Sequence, residues 1–378
     1  MKQTASFISA YTADTSGVCS ALYELGGLVV MHDASGCNST YHTHDEPRAY
    51  YMDSAVYVSA LTEMEAVMGG DDRLVNDIYI AAKELNPNFI AICGTPIPLI
   101  SGVDFTALAK MCEDKTGIPS FGLATNGMHS YISGISQAYQ ALFHRFVRPD
   151  AAPMKGTVNI LGATPLDFSI NSQAEDMKAL LENQGFKVQS CWSMGTTLDE
   201  IAGSASAQVN LVVSSSALPL AKLFQKKYGI PYVVGVPYGE KSAQKITDDL
   251  ALAAQSRQSI TSYASSLGLG KQGVIIGESI TSCSLAMSLA LDLNLDYRII
   301  TPLAVSPELL RNIDSICTDE EDLTALLKDA PLVIADGLYK PIVPPTAKFY
   351  NLPHEAFSGR MYRDKLPNLI NKPLKKEN

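Results

Sequence analysis

Cysteine is the residue type whose distribution in this sequence points most directly to chemistry. The seven cysteines are scattered and odd in number, which does not indicate a disulfide framework in a chain of 378 residues. Three of them, Cys19, Cys37 and Cys93, lie at or near predicted turns of one N-terminal stretch. Thiolate is the soft ligand that iron–sulfur clusters select, so three thiols facing one crevice would suit a metal cluster.

The elements that must position these thiols are short β-branched strands that alternate with amphipathic helical patterns. Predicted strand 28–32 precedes Cys37, and predicted strand 89–93 ends at Cys93. The alternation recurs twice further along the chain, and a long helix is expected at 243–267. Such alternation is typical of parallel sheets covered by helices on both faces. We therefore predict an α/β fold with three doubly wound, Rossmann-like parallel-sheet domains, at residues 1–150, 151–265 and 266–378.

The composition argues against several classes of protein. With 46% hydrophobic and 18% charged residues, the chain is expected to be globular and not disordered. No stretch approaches the roughly 20 apolar residues that a membrane span needs, and no signal-peptide core follows the start, so we expect a soluble, cytoplasmic protein. A formal net charge of −10 argues against general nucleic-acid binding.

Several common catalytic signatures are also missing from the sequence. There is no Walker-type phosphate loop, no HExxH zinc motif, no GxSxG nucleophile elbow and no CxxC pair. The one GxGxxG match, at 268–273, precedes a predicted strand instead of following one, so it does not indicate dinucleotide binding. If the chain is a redox enzyme, its electrons and any ATP energy are therefore expected from a partner.

Four short runs, together with the order in which they occur, resemble one known family. The runs are 32–37 (HDASGC), 48–51 (RAYY), 68–74 (MGGDDRL) and 92–104 (ICGTPIPLISGVD). The likeness continues at 192–201 (WSMGTTLDEI) and extends in order over nearly the whole chain. The sequence resembles the component 1 superfamily of nitrogenases and nitrogenase-like reductases.

The resemblance implies a fold, a cofactor and partners. Subunits of that family have three α/β domains, and three cysteines of the first domain hold an iron–sulfur cluster at the interface between two like subunits. Cys19, Cys37 and Cys93 match those positions in order. Three thiolates leave a [4Fe–4S] cluster one ligand short, so a partner could complete it, or six cysteines could surround a larger, P-cluster-like centre. A homodimer is the default expectation, and a heteromer with a related chain is the alternative.

The resemblance also directs attention to the segment after Cys37. In the family this stretch leads from the cluster toward the substrate cavity, so His42, His44 or Arg48 is expected to donate protons to a substrate or to orient it. A solvated polar loop is the competing interpretation of these residues.

The chain also departs from true nitrogenase. Val213-Ser214-Ser215-Ser216 stands where a cofactor-binding cysteine would lie, and His354 is a few residues out of register with the cofactor-binding histidine. We interpret His354 as a surface loop histidine, and dinitrogen reduction by this chain alone is disfavoured. Cys191 lies at the end of a predicted strand. It is interpreted as either a buried side chain or a further ligand or redox thiol.

Two functions follow from the resemblance. The first is an oxidoreductase: the catalytic component of a nitrogenase-like two-component reductase. It would receive electrons from an ATP-dependent iron–sulfur reductase through the interfacial cluster and pass them to a small-molecule substrate. The alternative is a non-catalytic scaffold that binds or assembles a metallocluster, which the loss of cofactor ligands favours slightly.

Overall fold

The computed structural model of the chain describes residues 6–7, 11–34, 36, 46–148, 153–264 and 270–374. The chain divides into two units. We call Thr12–Val147 together with Ser193–Ala202 the N-terminal unit. The C-terminal unit consists of Met1–Tyr11, Arg148–Trp192 and Gly203–Asn378. The polypeptide therefore enters the N-terminal unit twice.

The strands and helices of the described residues alternate along much of the chain. The strands are β1 (Leu28–His32), β2 (Ala55–Val58), β3 (Ile90–Gly94), β4 (Ser120–Leu123), β5 (Thr157–Leu161), β6 (Lys187–Cys191), β7 (Val209–Val212), β8 (Tyr232–Val234), β9 (Ile260–Thr261), β10 (Gly273–Ile276), β11 (Tyr297–Thr301), β12 (Ser315–Ile316), β13 (Leu332–Ala335) and β14 (Lys348–Asn351). The helices are α1 (Asp14–Leu22), α2 (Glu63–Met68), α3 (Asp71–Leu85), α4 (Pro96–Ile100), α5 (Phe105–Thr116), α6 (Tyr131–Phe146), α7 (Pro165–Phe168), α8 (Gln173–Asn183), α9 (Leu198–Ala202), α10 (Leu218–Tyr228), α11 (Glu240–Ser256), α12 (Ser279–Leu293), α13 (Glu320–Leu327) and α14 (Glu355–Ser358).

The N-terminal unit is built on a four-stranded parallel sheet with the order β2-β1-β3-β4. All residues of β1 and β3 are buried, as expected of parallel strands covered on both faces. On one face, the apolar stripes of α3 and α5 share a hydrophobic cluster with β1 and β3, which includes Leu74, Ile78 and Leu28. The carboxyl ends of the four strands lie at the same edge, which is where ligands bind in such sheets.

Helix α1, which carries Cys19, lies in the interior of the N-terminal unit. Every residue of α1 is buried. It packs closely against α6 because glycines occur at the contact: a Cβ on Gly17 would lie 2.3 Å from the carbonyl oxygen of Tyr131, and a Cβ on Gly134 would lie 1.8 Å from that of Asp14. Any larger side chain at these two positions would separate the helices.

The C-terminal unit contains two five-stranded parallel sheets. Their strand orders are β6-β5-β7-β8-β9 and β12-β11-β10-β13-β14. In each sheet the first strand in sequence lies inside the sheet, and later strands add on both of its sides. This reversal defines a doubly wound sheet and creates a crevice at the carboxyl ends of the central strands.

The predicted fold class is confirmed, since three parallel sheets with helices occur in chain order. The division into three domains stays a prediction. The long helix expected at 243–267 is wrong in its extent: α11 ends at Ser256, where Arg257 adopts a left-handed φ of 61° and a short strand follows. None of the helices in the described part of the chain combines the length and apolar character that crossing a membrane requires.

Candidate metal centre

Two of the three predicted cluster ligands meet in the N-terminal unit. Cys93 lies one residue before the end of β3, and Cys19 lies in α1. Both side chains are completely buried, and their thiols share a hydrogen bond. This hydrogen bond and burial raise the pKa of Cys19 well above its usual range. Two thiols from distant parts of the sequence therefore lie side by side at the carboxyl edge of the sheet.

Polar side chains fix the backbone around Cys93. The Cys93 thiol donates a weak hydrogen bond to the carbonyl oxygen of Val30 at 3.7 Å. The Thr95 hydroxyl donates to Oδ1 of Asp33 at 2.7 Å, joining the residues that follow β3 to those that follow β1. Thr15 of α1 donates to the carbonyl oxygen of Gly94 at 2.8 Å, so the helix of Cys19 is also tied to the end of β3.

Cys37, His42 and His44 lie outside the described residues, so the structure does not locate them. Within the described ranges there is no group of three or more His, Cys, Asp or Glu side chains arranged to hold a metal ion. The pair of Cys19 and Cys93 still fits an iron–sulfur cluster by its chemistry, because both groups are thiols, both are buried and they are in contact.

Arg48, predicted as a catalytic residue, is located in a buried ionic cluster. Its Nε donates to Oε1 of Glu46 at 2.6 Å, and its two terminal nitrogens donate to Glu24 Oε1 (2.8 Å), Ser193 O (2.9 Å), Ser20 O (2.7 Å) and Ser20 Oγ (3.2 Å). All five N–H groups of the guanidinium are therefore engaged, which is at odds with orienting a substrate. A guanidinium also has no acceptor and does not lose its proton in proteins, so these contacts give Arg48 a structural role, and its catalytic role stays a prediction.

The same edge of the sheet bears an exposed apolar surface that sequence reasoning missed. We call it the apolar rim: Met64, Val67 and Met68 of α2, Ile97, Leu99 and Ile100 of α4, and Met128 after β4. Val67 is 83% exposed and Ile100 is 85% exposed. No residue of α2 is buried, and the helix is held instead by a capping box in which Thr62 and Glu65 bond each other's backbone. The apolar rim is therefore a candidate interaction surface.

A second cluster of titratable groups lies in the C-terminal unit. Nε2 of His354 lies 3.3 Å from Oδ1 of Asp167, and both residues line a cavity of about 50 Å³ together with Glu278, Asp336 and mainly apolar side chains. The interpretation of His354 as a surface loop histidine is wrong, since 13% of its side chain is exposed and its backbone N–H donates to Asp336 at 2.7 Å. The sequence alone could not indicate this pair, because Asp167 and His354 lie far apart in it and only the fold brings their loops together.

Burial and charge have opposite effects on these groups. Burial lowers the pKa of His354, but the hydrogen bond and the charge of Asp167, helped by Asp336 and Glu278, outweigh it and raise that pKa above its usual value. Burial raises the pKa of Glu278, and the charge of Asp167 adds to this effect. The cavity therefore favours protonated groups.

Two further positions singled out in the sequence, Cys191 and the serine run at 214–216, are buried. Cys191 ends β6 and is 1% exposed. In the serine run after β7, the backbone N–H of Ser215 donates to Oε1 of Glu278 at 3.0 Å.

Comparisons with known proteins agree with this architecture. The family model described as nitrogenase component 1 type oxidoreductase matches residues 16–265. The nitrogenase iron-molybdenum cofactor biosynthesis protein NifE of Clostridium pasteurianum is 27% identical over 231 residues, which are 58% of this chain and 49% of that protein. NifE of Sinorhizobium fredii is 30% identical over 190 residues, 48% of this chain and 37% of that protein. The nitrogenase molybdenum-iron protein alpha chain of Clostridium pasteurianum is 27% identical over 187 residues, 47% of this chain and 33% of that protein.

Solved structures extend the fold likeness to almost the whole chain. The structure of nitrogenase Cp1 at pH 6.5 superposes with a TM-score of 0.68 at 15% identity, covering 96% of this chain and 87% of that chain. By sequence, the chain spans about half the length, or less, of the curated relatives named here. Since the family match covers more than half of its residues, the chain belongs to the nitrogenase component 1 type oxidoreductase family.

Proposed function

We propose that this protein holds a metallocluster as a scaffold for cofactor assembly, with Cys19, Cys37 and Cys93 as the ligands from each chain. The observation that carries the proposal is the contact between the buried thiols of Cys19 and Cys93 at the carboxyl edge of a parallel sheet. Two relatives are named for nitrogenase cofactor biosynthesis, which favours a role in assembly over turnover. Free thiols of this kind also suit the reducing cytoplasm.

The cluster is proposed to be an iron–sulfur cluster, [4Fe–4S] or larger, shared between two chains. Three thiolates from one chain leave such a cluster short of ligands, so the site needs a contribution from a neighbour. The apolar rim lies on segments that follow β2, β3 and β4, at the edge of the sheet where β3 with Cys93 ends, and offers the contact surface for it. We propose a second copy of this chain as the neighbour, and a related chain as the alternative.

Catalysis is the second candidate function, and one observation favours it. The cavity lined by His354, Asp167 and Glu278 would supply protons to a substrate bound there, which a scaffold does not need. In this alternative the chain is the catalytic component of a nitrogenase-like reductase, as the relative that is a molybdenum-iron alpha chain suggests. It would take electrons from an ATP-dependent iron–sulfur reductase, and His42 or His44 would serve a small-molecule substrate.

The metal proposal is tested by anaerobic purification followed by iron analysis and visible spectroscopy. We expect brown protein with about four or more irons per dimer. Cys93→Ser should lose most of that iron, whereas Cys112→Ser, which changes another buried thiol of the same unit, should retain it. Colourless wild-type protein with a native circular dichroism spectrum would contradict the proposal.

The two functions are separated by what happens to the cluster. A scaffold should transfer iron to a metal-free acceptor protein and show no substrate turnover with a reductase ATPase and MgATP. A reductase component should keep its iron, and its cluster should become reduced only when the ATPase and MgATP are both present. Retention of all iron together with ATP-dependent reduction would exclude the scaffold role.

A further inference from the structure

Arg48 forms a buried ionic cluster with Glu24 and Glu46. Arg48 is 5% exposed and Glu46 is fully buried, and the guanidinium also lies 4.7 Å from the ring centre of Tyr23. Replacing a buried ion pair by apolar side chains is often neutral for stability, because desolvation offsets the attraction between the charges. The role of this ionic cluster therefore lies in the elements that it holds in place.

The network holds the C-terminal end of α1, directly after Cys19. The carbonyl groups in the last turn of a helix have no partner within the helix. Two of them are satisfied here from outside: Arg48 donates to the carbonyl oxygen of Ser20 at 2.7 Å, and the Ser193 hydroxyl donates to that of Ala21 at 3.0 Å. A cation at this end also complements the helix dipole.

Further hydrogen bonds make the support two-sided. Glu24, two residues beyond α1, accepts from Arg48 through Oε1 at 2.8 Å and from the backbone N–H of Gly195 through Oε2 at 2.6 Å. The Tyr139 hydroxyl of α6 is 2.9 Å from the Ser193 hydroxyl. The end of α1 is thus joined to the turn at Pro47–Tyr50, to the 193–195 segment and to α6.

We propose that Arg48 is a positioning residue of the metal centre: through Ser20 and Glu24 it fixes α1 so that the Cys19 thiol lies against the Cys93 thiol. The inference rests on the proposed function for its purpose, but its geometric claim concerns the cluster-free chain. Loss of the guanidinium should let the end of α1 move, and the two thiols should separate without the loss of either ligand.

The test compares Arg48→Met, Arg48→Lys and the neutral triple variant Glu24→Gln/Glu46→Gln/Arg48→Met. The triple variant leaves no buried charge without a partner, so it separates positioning from the cost of an unpaired carboxylate. Arg145→Met is the control, since it removes an exposed arginine of the same unit that pairs with Glu113. Thermal unfolding establishes that each full-length variant is folded.

Two readouts are measured on folded protein. Dilute hydrogen peroxide, which is small enough to reach buried thiols and oxidises two thiols in contact to a disulfide cross-link, reports the proximity of Cys19 and Cys93 in cluster-free protein, and peptide mapping identifies the linked pair. Iron per chain after anaerobic reconstitution reports loading. Arg48→Met and the triple variant should each lower the Cys19–Cys93 cross-link and the iron content at least fivefold. Arg48→Lys should recover part of both, and Arg145→Met should match the wild type.

Each outcome decides the proposal. A folded triple variant that cross-links as the wild type does would overturn it. A triple variant that does not fold would overturn it too, since Arg48 would then stabilise the whole unit and not one helix end. If the wild type takes up no iron but its cross-link still depends on Arg48, the proposed function fails while the positioning role stands.

Discussion

Nε2 of His354 lies 3.3 Å from Oδ1 of Asp167, which joins the segment after β14 to α7, just after β5. The pair bridges the carboxyl ends of the two sheets in the C-terminal unit. Glu278 and Asp336 face the same imidazole from the segments after β10 and β13. A histidine in contact with one carboxylate and near two others is held in its charged form more strongly than in water.

This pairing predicts how stability depends on pH. Because the pKa of His354 is raised in the folded protein, its contribution to stability is complete below the unfolded value of 6.5 and is lost as pH rises through the folded pKa. Glu278, whose pKa is also raised, adds a loss of the same sign that starts near the unfolded value of 4.5. Urea unfolding from pH 5 to 9 should show a smaller decline for His354→Gln than for the wild type. An identical decline in both would refute the assignment.

Removing the carboxylate partner should destabilise the folded protein near pH 6. Asp167→Asn leaves the imidazolium without its strongest neighbour, at a cost of about 2 kcal/mol in the free energy of unfolding. Asp329→Asn is the matched control, since Asp329 is exposed, and its change should stay within about 0.5 kcal/mol. Chemical denaturation of both variants at one pH gives the comparison, and equal effects would show that the pair contributes nothing specific.

The close packing of α1 against α6 predicts an unusual response to alanine. Gly→Ala inside a helix usually stabilises by about 1 kcal/mol. At Gly134 the new Cβ would lie 1.8 Å from the backbone oxygen of Asp14, so we expect a loss of about 2 kcal/mol or more instead. Ser136→Ala, two residues further along α6, should change stability by less than about 0.5 kcal/mol. A stabilised Gly134→Ala variant would contradict the tight crossing.

The apolar rim predicts an association that can be abolished without harming the fold. Val67→Glu and Ile100→Glu change side chains that are 83% and 85% exposed, so the melting temperature should stay within a few degrees of the wild type. Each change should weaken self-association at least tenfold, as expected for a charge in an apolar contact. Sedimentation at several concentrations measures the effect, with Leu252→Glu, 54% exposed in the other unit, as control. Unchanged association would exclude the rim as the contact.

Sequence patterns predicted well the features that depend on local periodicity. The strand at Leu28–His32 was expected at the same residues, and the alternation of strands and helices correctly indicated parallel sheets. Cys93 was expected at the carboxyl end of its strand, where ligands bind in parallel sheets, and the structure places it one residue before that end. Cys19 lies in α1, so its position beside Cys93 does not follow from strand periodicity.

Features that depend on contacts between distant residues were not predicted. Arg48 lies in a polar stretch, and only the long-range contacts with Ser20 and Glu24 turn it into a buried residue. His354 was missed for the same reason, since its partner Asp167 lies far away in the sequence. Helix α2 has no buried face, so its apolar residues have no core contact to reveal. The two-residue strands β9 and β12 are too short to show a period.

The return of the polypeptide to the N-terminal unit at Ser193–Ala202 limits how the molecule can be taken apart. A fragment that stopped at Val147 would lack Ser193, which caps the Ala21 carbonyl, and Gly195, which binds Glu24. Such a fragment would keep its whole four-stranded sheet yet lose the brace on the helix of Cys19. Experiments that excise or exchange the N-terminal unit should therefore include the ten residues Ser193–Ala202, joined through a linker, so that Cys19 and Cys93 stay together.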